Sequence, residues 1–154
     1  MWKKKVAIRH AQYSHPTDES KVPSFPIIQT YKSEMPLRLG FLSYDFNDHP
    51  TAHLSEGLFF WNNITDTKVK FAAYNYGKND NSTFRKNIEA YLGGNSNQGG
   101  SFFDFGGLSY DNAVNLIRND QPQIVFDLQA FTRGSRPEIL AKRVAPIQVN
   151  YLGK

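Results

Sequence analysis

The sequence predicts an α/β fold in which a mostly parallel sheet is flanked by helices. From residue 37 onward, short apolar runs alternate with segments of helical periodicity. The apolar runs are nearly continuous, which is typical of strands that are buried on both faces of a sheet. The chain has 154 residues and no cysteine, and a domain of that size folds around one core without disulfides.

The first predicted strand is Leu37–Ser43, an apolar run that contains a single arginine. The helix that follows, Pro50–Trp61, begins with a proline, which removes no helical hydrogen bond at that position. Leu54, Leu58 and Trp61 of this helix share one face.

The second strand is predicted at Lys68–Tyr76, which is rich in residues that favour sheets. The helix after it is Ser82–Leu92, because Phe84, Ile88 and Tyr91 recur there at the spacing of a core-facing stripe. This unit repeats the order of strand and helix seen in the first one.

A Gly- and Asn-rich stretch, 93–100, is predicted to be a loop. A short strand, Ser101–Phe105, leads from it into the helix Ser109–Asn119, which Ser109 or Asp111 caps. The residues of this helix that are expected to face inward are Ala113, Leu116 and Ile117.

The remaining elements are the strand Ile124–Leu128, the short helix Pro137–Arg143 and the strand Ile147–Leu152. The carboxyl ends of parallel strands meet at one edge of a sheet, and open α/β sheets bind their ligands beyond that edge. We therefore expect the functional residues in the loops that follow the strands.

Residues 1–36 are predicted to form an irregular basic arm or linker. They carry six basic and three acidic side chains and four of the eight prolines, whereas residues 37–154 carry twelve basic and eleven acidic side chains. The nearly neutral body lacks the basic, aromatic face that nucleic-acid binding needs. No apolar stretch fits a membrane span or a signal peptide, so we expect a soluble, intracellular protein that binds neither nucleic acid nor membranes.

Two histidines follow the first strand. His49 precedes the first helical residue, where the helix dipole disfavours an imidazolium and leaves a neutral ring that accepts a proton or polarises a substrate group. His53 lies one turn further on and is expected to face the same cleft or the core. Two zinc ligands have the same spacing, but the H-E-x-x-H motif needs a glutamate where Pro50 stands. Ordinary capping or buried histidines are the remaining alternative.

The loop after the fourth strand is a second candidate. Thr132, Arg133 and Arg136 offer a hydroxyl and two guanidinium groups, and Gly134 relaxes the backbone between them. Such a loop beside a helix N-terminus fits a phosphate or a carbonyl oxygen. The alternative is a solvated turn in which Arg136 pairs with Glu138.

Three separate blocks of sequence form a longer pattern. They are G-F-x-S-x-D-F-x-x-H-P-T-x-H-L at Gly40–Leu54, F-T-x-G-x-R at Phe131–Arg136, and R-x-A-P-I-Q-V-N-Y-L-G at Arg143–Gly153. From the start of the first block to the end of the third, they span most of residues 37–153. In order and spacing, the pattern resembles the N-terminal half of the catalytic region of protein O-GlcNAc transferases.

The resemblance implies a GT-B glycosyltransferase, in which a nucleotide sugar binds between two Rossmann-like domains. It implies inverting transfer of N-acetylglucosamine from UDP-GlcNAc to Ser or Thr hydroxyls of cytoplasmic or nuclear acceptor proteins, with no cofactor and no required metal. His49 aligns with an active-site histidine that acts as a general base or as an orienting group. The residues expected to bind the substrate or the donor are Asp45, Thr132, Arg133, Gly134 and Gly153.

The sequence also departs from the family's pattern. The family continues past Gly153 into a second Rossmann-like domain that supplies most contacts to uridine and the diphosphate. We therefore expect residues 37–154 to be a Rossmann-like half-domain that is inactive without the missing C-terminal catalytic half. Asn115 stands where an acidic group facing the cleft is expected, and we expect none of the family's usual tetratricopeptide helices within these 154 residues.

Two alternatives to this interpretation are open at the level of sequence. One is a non-catalytic Rossmann-like module that binds a peptide or a nucleotide. The other is a protein O-fucosyltransferase of the same family that uses GDP-fucose, because donor choice is made largely in the missing half.

Overall fold

The computed structural model describes residues 36–65, 68–93 and 100–152. The predicted arm, apart from Pro36, lies outside the described residues, as do residues 94–99 of the predicted loop and Gly153. Within the described ranges, strands and helices alternate as predicted, and each element ends within three residues of its predicted bounds.

A five-stranded sheet forms the centre of the described fold, and all four of its strand pairs are parallel. Its order is β3-β2-β1-β4-β5. The strands are β1 (Leu37–Ser43), β2 (Val69–Asn75), β3 (Ser101–Asp104), β4 (Ile124–Asp127) and β5 (Ile147–Asn150).

Helices cover both faces of this sheet. They are α1 (Pro50–Ile64), α2 (Thr83–Leu92), α3 (Tyr110–Asp120) and α4 (Pro137–Ala141). Phe41 of β1 packs in one buried cluster with residues of α1 and α2, and its neighbour Leu42 packs in another with residues of α3 and α4. Successive side chains of a strand point to opposite faces, so α1 and α2 lie on one side of the sheet and α3 and α4 on the other.

The helices begin where local hydrogen bonds fix their first turns. The Ser82 hydroxyl accepts from the backbone N–H of Arg85 at the start of α2, and the Ser109 hydroxyl accepts from that of Asn112 at the start of α3. Each bond satisfies an N–H group that has no partner inside the helix. Of the two predicted caps of α3, Ser109 is therefore the one used.

Helix α1 packs on the sheet with a face that its apolar pattern does not predict. Leu54, Leu58 and Trp61, which share one face, are 70%, 45% and 61% exposed. Small residues bring the opposite face close to the sheet. Phe59 packs there edge-on against Phe41, with the centres of the two rings 5.3 Å apart. The buried residues of α1 are Thr51, Ala52, Ser55, Phe59 and Asn62.

The winding of the chain reverses between β1 and β4. From β1 the chain crosses to β2 through α1 on one face, whereas from β4 it crosses to β5 through α4 on the other face. The loops that follow these two neighbouring strands therefore diverge and leave a crevice between them.

Candidate functional site

A cavity of about 340 Å³ opens at the carboxyl ends of β1 and β4. It lies where the winding reverses, which is the place where open α/β sheets bind ligands. Its walls come from the loop after β1, the start of α1, the loop after β4 and the residues after β5. The lining residues are Tyr44, Asp45, His49, Thr51, Leu128, Gln129, Thr132, Arg133 and Leu152.

The cavity brings together most of the residues that the sequence predicts for the site. Asp45, His49, Thr132 and Arg133 all line it. Gly134 lies next to this lining, against the Tyr44 ring. The fold thus joins two motifs that lie more than 80 residues apart in the chain.

His49 is the N-cap of α1, as its place before the helix predicts. Its Nδ1 accepts from the backbone N–H of Thr51 at 3.3 Å and lies 3.2 Å from the Thr51 hydroxyl oxygen. The side chain is still 46% exposed. The helix therefore fixes the ring while leaving it open to a ligand in the cavity.

Asp45 lies beside His49 on the same loop and is mostly buried. One of its carboxylate oxygens, Oδ2, is 3.6 Å from His49 Nδ1, which is beyond the range of a hydrogen bond. The backbone N–H of Asp45 donates to the Ser43 hydroxyl at 3.0 Å, and this bond holds the turn that leads out of β1. The site therefore pairs an imidazole with a carboxylate at close range.

Gln129 is the organising residue that sequence reasoning missed. It follows β4, is 1% exposed, and its Nε2 donates to Asp45 Oδ2 at 2.9 Å and to Thr132 Oγ1 at 2.6 Å. Its Oε1 accepts from the Ser43 hydroxyl and from the Tyr44 backbone N–H, both at 3.2 Å. The one available signal was a polar residue directly after a buried strand, which is typical of the sites of parallel sheets.

The loop after β4 is shaped by the same amide. The Thr132 hydroxyl donates to the Gln129 carbonyl at 2.8 Å, and the Arg133 carbonyl accepts from Gln129 Nε2 at 3.0 Å. Gly134 has φ of +87°, and a Cβ at that position would lie 2.8 Å from the Tyr44 ring. Glycine is therefore needed here for conformation and for space.

Arg136 does not take part in the cavity. Its Nη2 donates to the Leu108 carbonyl at 2.9 Å, and its guanidinium lies 4.5 Å from the centre of the Tyr110 ring. The predicted cradle with two guanidinium groups is therefore wrong, and so is the alternative pairing with Glu138. Arg133 is the arginine that borders the cavity.

His53 faces neither the cleft nor the core, so both predicted positions are wrong. Its Nε2 lies 2.8 Å from Asp48 Oδ1, and its ring stacks on Phe84 with centres 3.8 Å apart. Helix α1 carries it to the surface between the loop after β1 and helix α2. His49 and His53 therefore have separate partners despite their helical spacing.

Asn115 also lies away from the cavity. It lines a second, open groove of about 580 Å³ together with Phe103, Leu108 and other residues of α3. Asn115, which stands where an acidic group facing the cleft is expected, is therefore not among the residues that line the cavity with His49.

Burial and the carboxylates near the cavity raise the pKa of Tyr76. Burial raises the pKa of the Tyr76 phenol above its ordinary value, and the negative charges of Asp127 and Asp45 raise it further. The Tyr76 ring lies 6.0 Å from that of Tyr44, which lines the cavity. The phenol therefore stays neutral over the range in which proteins are active.

The described part of the chain shows neither a cluster of metal ligands nor a membrane-spanning helix. Among residues 36–65, 68–93 and 100–152, no three His, Asp or Glu side chains come together as a metal site. None of the described helices is long and apolar enough to cross a membrane.

The sequence of this chain is similar to sequences of known proteins. The sequence model of glycosyl transferase family 41 matches residues 2–154. The chain is 35% identical over 117 residues to the probable UDP-N-acetylglucosamine–peptide N-acetylglucosaminyltransferase SEC of Arabidopsis thaliana, an alignment that covers 76% of this chain and 11% of the relative. It is 32% identical over 118 residues to the Caenorhabditis elegans UDP-N-acetylglucosamine–peptide N-acetylglucosaminyltransferase, covering 76% of this chain and 10% of that protein.

A solved structure has the same fold. A mutant O-GlcNAc transferase from Thermobaculum terrenum superposes with a TM-score of 0.72 at 23% identity, covering 96% of this chain and 25% of that one. The chain thus spans about a tenth of the two curated relatives and a quarter of the solved one. The parallel sheet with its flanking helices corresponds to part of a GT-B glycosyltransferase.

Proposed function

The chain belongs to glycosyl transferase family 41, and on that premise we propose that its cavity is one wall of a site that transfers N-acetylglucosamine from UDP-GlcNAc to Ser or Thr hydroxyls of proteins. The observation that carries the proposal is the convergence of His49, Asp45 and Thr132 at the topological switch point. Proteins of the cytoplasm or nucleus are the proposed acceptors.

The transfer makes one bond and breaks another. The oxygen of the acceptor hydroxyl bonds to the anomeric carbon of the sugar, the bond from that carbon to the diphosphate breaks, and UDP leaves from the opposite face with inversion. The hydroxyl proton passes to a base or to water. His49 lies at the cavity with its ring held by α1, so it orients the groups that react.

The cavity supplies only part of what this chemistry needs. A departing diphosphate is stabilised by several cationic or hydrogen-bonding groups held in one geometry. Among the described residues that line the cavity, Arg133 is the only arginine or lysine. We therefore propose that a second, C-terminal catalytic half supplies the other wall, that no metal is required, and that these 154 residues alone transfer little or no sugar.

Inactivity of the isolated chain is tested with labelled donors. The purified chain is incubated with an acceptor protein and either UDP-GlcNAc or GDP-fucose, and incorporation of labelled sugar is counted. We expect no incorporation above background from either donor. Sustained transfer would overturn the half-site proposal, and the donor that supports it would decide between the GlcNAc and fucose branches.

Function in a complete site is tested with a chimera. Residues 37–152 replace the matching segment of the Thermobaculum terrenum transferase, whose fold they share. We expect this chimera to transfer N-acetylglucosamine and to prefer UDP-GlcNAc over GDP-fucose. A chimera that melts cooperatively and binds acceptor protein but transfers neither sugar would favour a non-catalytic binding module instead.

A further inference from the structure

Gln129 lies between the carboxylate and the loop that form the cavity. We propose that Gln129 is a positioning residue that sets the tautomer of His49, because its amide holds the Asp45 carboxylate and leaves the proton of the neutral imidazole on Nε2. The inference deepens the proposed function, since His49 then presents an N–H to the cavity. Gln129 is then necessary to the site, although its side chain is almost fully buried in the cavity wall.

The Asp45 carboxylate is held by the Gln129 amide. Its Oδ2 accepts from Gln129 Nε2 at 2.9 Å, and the same oxygen lies 3.6 Å from His49 Nδ1. The first distance is that of a hydrogen bond and the second is not. Gln129 therefore donates to the carboxylate oxygen that lies nearest to His49 Nδ1, and His49 does not.

The His49 ring is held by the first turn of α1. Its Nδ1 faces the backbone N–H of Thr51 at 3.3 Å and the Thr51 hydroxyl at 3.2 Å. In neutral histidine, the nitrogen that accepts a hydrogen bond carries no proton, and the other nitrogen carries it. Because the helix N-terminus donates to Nδ1, the proton of the neutral ring is on Nε2.

The hydrogen-bond partners of the Gln129 amide fix its orientation. Its Oε1 accepts from Ser43 Oγ and Tyr44 N, whereas its Nε2 faces oxygens of Asp45, Thr132 and Arg133. A rotated amide would place its NH₂ group against the Tyr44 N–H and its carbonyl against the Asp45 carboxylate. At 1% exposure, no water replaces the lost partners. The amide is therefore locked with an N–H toward Asp45.

The consequence follows from removing that N–H. A carboxylate without its donor turns to the nearest one, and His49 Nδ1 is 3.6 Å away. If Nδ1 donates to Asp45, the proton of the neutral ring is on Nδ1 and Nε2 carries none. Nε2 then faces the cavity with a lone pair that accepts a hydrogen bond, in place of an N–H that donates one. Gln129 thus determines whether His49 donates to or accepts from a group in the cavity.

The test reads the tautomer directly and needs no sugar transfer. Long-range ¹H–¹⁵N correlation spectra of the full ¹⁵N-labelled chain, recorded where imidazoles are neutral, distinguish protonated from unprotonated ring nitrogens, and His49→Gln assigns the His49 signals. We expect Nε2–H in the unmodified chain. Gln129→Met keeps the length of the side chain but removes the N–H donor. It should raise the ratio of Nδ1–H to Nε2–H about threefold to tenfold, which corresponds to the net contribution of one hydrogen bond.

The matched control is the double variant Asp45→Ala, Gln129→Met, which has no carboxylate to capture Nδ1. It should return to the ratio of the unmodified chain. Nδ1–H in the unmodified chain, an unchanged ratio in Gln129→Met, or an equal change in the double variant would each overturn the proposal.

A second variant keeps the test decisive if Gln129→Met does not fold. Asp45→Asn removes the charge that would attract Nδ1–H and should retain Nε2–H, whereas a change to Nδ1–H there would contradict the proposal. The spectra stand whether or not the chimera transfers sugar, so failure of this inference and failure of the proposed function are separate outcomes.

Discussion

His49 combines a structural and a chemical role at one position. Its Nδ1 caps α1, and the hydrogen-bond and ion-pair contacts that the structure gives this ring among the described residues all involve that nitrogen. The sequence predicted this place because a proline follows at the first helical position. Gln129 was not predicted, because an amide carries no charge or motif and its partners Ser43, Tyr44 and Asp45 lie 84 to 86 residues away.

Asp120 is expected to be the most important carboxylate for stability. Both of its oxygens accept from the Arg38 guanidinium, at 2.6 and 2.8 Å, and Oδ2 also accepts from the Tyr74 hydroxyl. Burial, followed by the charge of Asp120, raises the pKa of Tyr74 above its ordinary value. Asp120→Ala removes the acceptor of the buried Tyr74 hydroxyl and the carboxylate partner of the half-buried Arg38 guanidinium, and should lower the free energy of unfolding by about 2–4 kcal/mol.

The measurement is urea denaturation, with Asp111→Ala on the same helix as the control. Asp111 lies exposed in the first turn of α3, where loss of its charge affects the helix dipole by about 0.3–1 kcal/mol. Equal losses in the two variants would contradict the role given to Asp120.

Asp80 is expected to make the loop beside His49 sensitive to acid. Desolvation acts to raise the pKa of Asp80, but hydrogen bonds from the backbone N–H groups of Asp48 and Ser82 outweigh it and leave the pKa below its ordinary value. The stabilisation is present above the pKa of the unfolded chain and is lost as the pH falls through that of the folded chain.

The prediction compares the original chain with Asp80→Asn by thermal melting. The difference between their melting temperatures should be largest near about pH 6 and should shrink as the pH falls through the lowered pKa of Asp80, because a protonated Asp80 is uncharged, as asparagine is. Other carboxylates are common to both proteins and cancel in the difference. A difference that stays constant over this range would refute the assignment.

At the scale of the elements, boundaries were predictable and the orientation of α1 was not. Prolines and serine caps are local signals, so helix starts follow from a few neighbouring residues. Helix α1 is apolar on both faces, and only the sheet distinguishes them, because the small residues Ala52 and Ser55 allow Phe59 to reach Phe41. The hydroxyl of Ser55 donates to the Thr51 carbonyl at 2.8 Å, which makes its burial tolerable.

Two substitutions in α1 test this orientation. Phe59→Ala empties a site in the buried cluster and should lower the free energy of unfolding by about 3–5 kcal/mol. Trp61→Ala removes a larger ring from the exposed face and should cost about 1 kcal/mol or less. Denaturant unfolding of both variants measures the difference, and a greater loss at Trp61 would mean that the helix packs with its other face.

At the scale of the whole molecule, topology brings the site together. Strand order β3-β2-β1-β4-β5 makes β1 and β4 neighbours, so loops that are distant in sequence share one cavity. The alternation of strands and helices predicted the parallel sheet, and the sequence blocks predicted the family. Alternation alone does not give strand order, and that is why the approach of Gln129 to Asp45 could not be foreseen.

His49 is the residue proposed to act in sugar transfer, and a matched pair of histidine variants in the chimera tests that role. His49 borders the cavity, whereas His53 lies on the surface with Asp48. We expect His49→Ala to lower the rate of transfer from UDP-GlcNAc about a hundredfold or more. We expect His53→Ala to leave it within about threefold, since His53 touches no part of the proposed site. A chimera that transfers sugar equally well without His49 would show that this histidine has no role in the reaction.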